Sequence, residues 1–102
     1  MKRRFVLTPE AAADLREILL GIAEGRPATA ERLRVEFLYT FQQLGRSPGI
    51  GHYREDLLDR HFRFSTFYSW VICYAWEPKP IQIIAVVHGA RQLAAFFSSR
   101  LD

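Results

Sequence analysis

The chain has 102 residues, 49% hydrophobic and 25% charged, which allows one domain with one core and excludes a disordered or low-complexity protein. Apolar runs such as Val71-Ile72-Cys73-Tyr74-Ala75-Trp76 are far too short to cross a bilayer, no signal-peptide pattern opens the chain, and the lone Cys73 excludes an internal disulfide, so a cytoplasmic home is expected. The formal charge is +3, and twelve of the fourteen basic residues are Arg, whose planar fork pairs with carboxylate or phosphate and suits an acidic partner.

Residues 3–8 predict a short strand with Phe5 and Leu7 on one face. Thr8-Pro9-Glu10 is a helix start: Thr caps, Pro suits the first helical position, and Glu favours the positive end of the dipole. Ala11, Leu15, Ile18 and Ile22 follow at helical spacing until Gly25-Arg26-Pro27 breaks the helix and opens a second one, running to about Leu44. That helix carries Ala30, Leu33, Phe37, Phe41 and Leu44 in one stripe, widened by Val35, Leu38 and Tyr39. So short a connection requires an antiparallel helical hairpin.

Ser47-Pro48-Gly49-Ile50-Gly51 reads as a loop, and from Phe62 the hydrophobic period changes to two. Phe62 and Phe64 alternate with Arg63 and Ser65, and Trp70, Ile72, Tyr74 and Trp76 alternate with Val71, Cys73 and Ala75. Glu77-Pro78-Lys79-Pro80 is a turn, Ile81 to Val87 suits a central strand, and Ala90 to Phe97 suits a short terminal helix. The expected architecture is a single α+β domain over residues 1–102, in the order βααβββ. The helical hairpin covers one face of a mainly antiparallel sheet, and the other face is left free for a partner or target.

Chemistry is sparse. Cys73 lies mid-strand among apolar residues, where a thiol is an inert small hydrophobe, and His52, His61 and His88 lack metal-ligand spacing. No metal or other cofactor is expected. Arg54, Arg60, His61 and Arg63, with His88 and Arg91 after the last strand, form the remaining constellation, which adjacent strand ends could gather into one basic patch. Such a patch binds an acidic partner or, with His as proton carrier beside cations, cleaves RNA without a metal. Arg63 and Arg91 could equally pair with nearby carboxylates such as Asp56 and Asp59, or with strand carbonyls.

The segment Leu7-Thr8-Pro9-Glu10-Ala11 with Asp14-Leu15 and Glu17-Ile18, then Ser47-Pro48-Gly49-Ile50-Gly51 with Arg54 and Leu57, Ile72-Cys73-Tyr74, and Val87-His88-Gly89-Ala90-Arg91, resembles the ParE-type toxins of the RelE/ParE superfamily over roughly residues 5 to 97. The resemblance implies a βααβββ toxin neutralised by a cognate antitoxin, a non-enzymatic poison of DNA gyrase, with no sequence-specific DNA binding of its own. Antitoxin or target contacts are expected on Arg54, Arg60, Arg63, Tyr68, Arg91, Phe96 and Phe97. The RelE branch instead cleaves mRNA on the ribosome with a cation-rich set and a Tyr after the last strand. Here Phe96 and Phe97 stand in that region, leaving His61, His88 and Arg91 as the nuclease alternative. A detoxified member that only binds its partner is the third reading. Tyr68-Ser69, where a Gly-containing hairpin is common, and Gln92, where an Asp is usual, depart from the ParE pattern.

Overall fold

Thr8 decides where the first helix begins. Its backbone is extended, its hydroxyl accepts the Ala11 amide at 3.1 Å, and Pro9 follows at the first helical position. The computed structural model describes residues 3–101. In chain order these form β1 (Phe5–Leu7), α1 (Pro9–Ala23), α2 (Pro27–Arg46), a 3₁₀ turn (Pro48–Ile50), β2 (Phe62–Phe67), β3 (Trp70–Ala75), β4 (Ile81–His88) and α3 (Leu93–Arg100). The first strand is shorter than residues 3–8, because Thr8 is committed to capping. The second helix runs one half-turn past Leu44.

The sheet order is β1-β4-β3-β2. β2, β3 and β4 form an antiparallel meander, and β1 joins parallel to β4 with Phe5 opposite Ile81 and Leu7 opposite Ile83. The hairpin of α1 and α2 crosses over one face. There Leu15, Leu33, Phe37, Phe41 and Leu44 bury against Phe5, Ile72, Tyr74, Ile81 and Ile83. At about 1.5–3 kcal/mol for each fully buried large side chain, this cluster is the main source of stability.

The opposite face, expected to be bare, is covered. α3 lies across it and inserts Phe97, 1% exposed, among Phe64, Val71, Cys73, Ala85 and Val87. The Phe97 ring meets Phe64 edge-on at 5.3 Å. The reason lies in β3 and β4, which are apolar at both parities: a strand buried on two faces reads as a continuous hydrophobic run, and both faces must be roofed. Cys73 is fully buried here, and burial pushes its thiol pKa well above the ordinary range.

One edge is closed by side chains. The register between β3 and β4 shifts between Cys73, opposite Ala85, and Tyr74, opposite Ile83, so Ile84 is an extra residue and β4 bulges. β1 ends at Leu7, and beyond it β4 has no strand partner on that side. Val86 N–H instead donates to Asp14 Oδ2 at 3.0 Å, while Ile84 O accepts from Arg100 Nη1 at 3.1 Å. Asp14 and Arg100 also hold each other through a two-pronged ion pair at 2.9 and 3.0 Å. An acid from α1 and a base from α3 thus stand in for a missing strand.

Candidate functional site

The long connection between α2 and β2 is fixed from beneath by Tyr74. Its phenol donates to Pro48 O at 2.7 Å and accepts Gly51 N–H at 3.0 Å. Gly51 is required because a Cβ there would collide with the Tyr74 phenol and lie 3.0 Å from Phe64 O. His52 then exchanges both backbone hydrogen bonds with Phe64 at 2.8 and 2.7 Å, extending the β2 edge by one bridge.

Arg63 points away from Phe62 and Phe64, as alternation demands, and into this loop. It donates to Gly51 O at 2.9 Å and to Tyr53 Oη at 3.0 Å. Its guanidinium carbon lies 4.2 Å from the Tyr53 ring centroid and 4.3 Å from that of Trp76. The Arg60 guanidinium carbon lies 3.9 Å from the same Tyr53 centroid. The result is a compact cluster in which Arg60 and Arg63 both lie against Tyr53, the Tyr53 and Trp76 rings meet edge-on at 6.3 Å beside Arg63, and a 2.9 Å bond from the Trp76 indole to Arg60 O closes the group. Arg54 and Arg60 are held by Asp56 and Glu55 at 2.8 and 2.9 Å. Arg63 therefore pairs with loop oxygens and rings, not with the carboxylates of Asp56 or Asp59.

His61 is exposed and bonds Asp59 Oδ1 at 2.8 Å. Hydrogen bonding and charge from Asp59 raise its pKa above the ordinary histidine value. The raised value means the folded state favours the protonated ring. The pair's contribution is complete below about pH 6.5 and disappears as pH rises through the folded-state pKa. An NMR titration of the His61 ring is expected to show a midpoint above that of a free imidazole, returned to the ordinary value by Asp59→Asn.

The remaining predicted residues sit at the other end of the sheet. Tyr68 is 67% exposed at the tip of the two-residue β2–β3 turn, with a positive φ of 53° and its phenol donating to Glu36 Oε1 at 2.7 Å. His88 closes β4, its Nδ1 accepting the Ala90 amide at 3.1 Å. Arg91 is exposed, and its guanidinium lies 5.1 Å from the half-buried Phe96 ring. Phe97, expected at a contact surface, is in the core.

The expected single patch is thus two. Arg54, Arg60, His61 and Arg63 gather where β2 starts, and Tyr68, His88, Arg91 and Phe96 where β2 ends. Six residues of strand lie between, so His61 and His88 are roughly 20 Å apart at about 3.3 Å per residue. Among the described residues, no group of His, Cys, Asp and Glu could hold a metal ion, and no helix is long and apolar enough to cross a membrane.

Sequence reasoning missed Tyr53, the centre of the cluster, because an aromatic in a loop carries no periodicity. It also missed an open apolar groove of about 520 Å³ between α1 and α2, floored by Leu15 and Ala30, walled by Leu19, Leu20 and Leu38, and rimmed by Arg16 and Arg34. Leu20 is 61% exposed there.

The family model for the ParE toxin of the type II toxin–antitoxin system parDE matches residues 5–93 of the 102. The chain belongs to the ParE toxin family. It is therefore the toxin half of a type II pair, and ParE membership implies a cognate antitoxin as its partner. The match to the ParE family model ends at Leu93, where α3 starts, so Phe96, Phe97 and Arg100 lie beyond the matched stretch. No curated protein matches the chain.

Proposed function

We propose that this toxin blocks replication by poisoning DNA gyrase, as a binding protein and not as a catalyst. The observation that carries the reading is the separation of its proton-transfer candidates. A metal-free ribonuclease needs acid, base and cations around one phosphate, within hydrogen-bond reach. His61 stands at one end of the sheet and is engaged with Asp59, whereas His88 and Arg91 stand at the other, where the Tyr68 hydroxyl is engaged with Glu36 and the His88 Nδ1 with the Ala90 amide. Phe96 has no ionisable group to supply beside Arg91. On this reading Arg54, Arg60, Tyr68 and Arg91 offer contacts to antitoxin or target.

Purified protein added to gyrase is expected to inhibit plasmid supercoiling and to accumulate cleaved DNA. If supercoiling is unaffected while translated mRNA acquires new cuts abolished by His88→Ala, the ribosome-dependent endonuclease reading replaces this one. Unimpaired growth on expression without antitoxin would indicate a detoxified member.

Neutralisation fits the α1–α2 groove. An amphipathic helix can lay apolar residues against Leu19, Leu20 and Leu38 while an acid meets Arg16, Arg34 being already paired with Glu31 on the same rim. Leu20→Glu, a change at an exposed position, is expected to leave the melting temperature nearly unchanged. It should weaken antitoxin binding at least tenfold, since burying a leucine is worth about 1.5–3 kcal/mol. Isothermal titration against the antitoxin measures it, and unchanged affinity would remove the groove from the interface.

A further inference from the structure

Four strand ends coincide on one rim of the sheet. β1 and β4 begin there (Phe5 opposite Ile81), β3 ends there (Ala75 opposite Gln82), and β2 begins there (Phe62 opposite Ala75). Following the order β1-β4-β3-β2, the rim presents Arg3 and Arg4, then Lys79, then Trp76 beside Glu77, then Arg60 and His61 with their partners Glu55 and Asp59, so its uncompensated charge lies at the β1 end. Three inter-strand spacings of about 4.8 Å make this row roughly 14 Å long.

At the β1 end the rim opens into a cleft of about 590 Å³ lined by Arg3, Arg4, Val6, Gly45, Lys79 and Pro80. Gly45 lets the last turn of α2 wall it: a Cβ there would lie 2.5 Å from Arg4 O and 2.6 Å from Arg4 Cβ. The lining holds three cations and no acid. Among the described residues, none of the ion pairs reaches Arg3, Arg4 or Lys79, and Lys79 Nζ donates only to Trp76 O at 3.2 Å. Elsewhere Arg34, Arg54, Arg60 and Arg100 all have carboxylate partners. Converging cations without a counter-charge repel one another, and an anion relieves that repulsion.

We infer that this cleft and rim bind single-stranded nucleic acid, with Arg4 and Lys79 on the phosphates and Arg60 under a base. The cluster at the β2 end distinguishes this ligand from an acidic peptide. At its outer side the Arg60 guanidinium, 62% exposed, lies 3.9 Å from the Tyr53 ring centroid and bonds Glu55 at 2.9 Å. An exposed planar cation can stack with a nucleobase, whereas a carboxylate side chain makes no use of its face. A row of this length accommodates a short run of nucleotides of an extended single strand. The site is separate from the groove assigned to the antitoxin and does not depend on the gyrase reading.

Fluorescence anisotropy of a short labelled oligothymidylate with the full chain tests it. Arg4→Ala/Lys79→Ala is expected to weaken binding at least tenfold. It should also flatten the salt dependence by about 1.4, because each phosphate neutralised on a single strand contributes about 0.7 to that slope. Arg60→Ala should weaken binding several-fold with a smaller change in salt dependence. Arg26→Ala/Arg32→Ala removes the same charge from the exposed helical hairpin and should leave affinity within about twofold. The charge-conserving Arg4→Lys/Lys79→Arg should retain binding, which separates loss of the site from loss of the fold. Equal weakening by the hairpin control, no binding by the unaltered chain at low salt, or displacement of the oligonucleotide by a Glu-rich peptide at equal concentration would overturn the assignment.

Discussion

Replacing Asp14 by alanine is expected to cost about 3 kcal/mol of folding stability and to lower the melting temperature by roughly 15 °C. The side chains of Asp14 and Arg100 are only 15% and 14% exposed, so removing the acid strands a cation in a poorly solvated place. It also leaves Val86 N–H without its acceptor. Removing both charges should be gentler than removing Asp14 alone, because Asp14→Leu/Arg100→Met leaves no lone buried charge. Differential scanning calorimetry of Asp14→Leu, Arg100→Met and the double variant completes a thermodynamic cycle. Additive losses would mean that the two groups act separately.

Tyr74→Phe should cost about 2–3 kcal/mol although it removes a single oxygen. That oxygen donates to Pro48 O and accepts from the buried Gly51 N–H, and the substitution orphans both backbone groups. A second effect distinguishes it from a general loss of packing. The 51–61 loop carries Tyr53 and Arg60, so amide hydrogen exchange should accelerate at Gly51, His52 and Tyr53 well beyond the change in α1 or α2. Uniform acceleration would show that Tyr74 supports the core as a whole and not this loop.

Much of the framework is legible in the chain. Thr8-Pro9-Glu10 starts α1, Gly25-Arg26-Pro27 divides the hairpin, and alternation from Phe62 onward gives the meander, each from interactions within a few residues. What is not legible is remote. The partner of Arg100 is 86 positions away, and nothing local in either residue announces the pairing. α3 is only eight residues long, too short for its periodicity to separate a buried Phe97 from an exposed contact. The second roof on the sheet was nevertheless implied by Val71, Cys73 and Ala75, apolar at the parity opposite to Ile72 and Tyr74. The division of the basic patch was implied too. In a meander the entry to the first strand and the exit from the third point in opposite directions, so His61 and His88 cannot meet.

The hairpin tip carries one further implication. A residue with a β-carbon held at φ 53° is worse off by about 1–2 kcal/mol than in ordinary backbone, a penalty that glycine escapes. The phenol of Tyr68 recovers part of this through Glu36, but a bond so open to water is worth about 1 kcal/mol or less. The ring also meets Phe67 edge-on at 4.7 Å, which offsets a further part. The terms nearly cancel, so an aromatic disc is displayed to solvent at this tip with little net loss to folding.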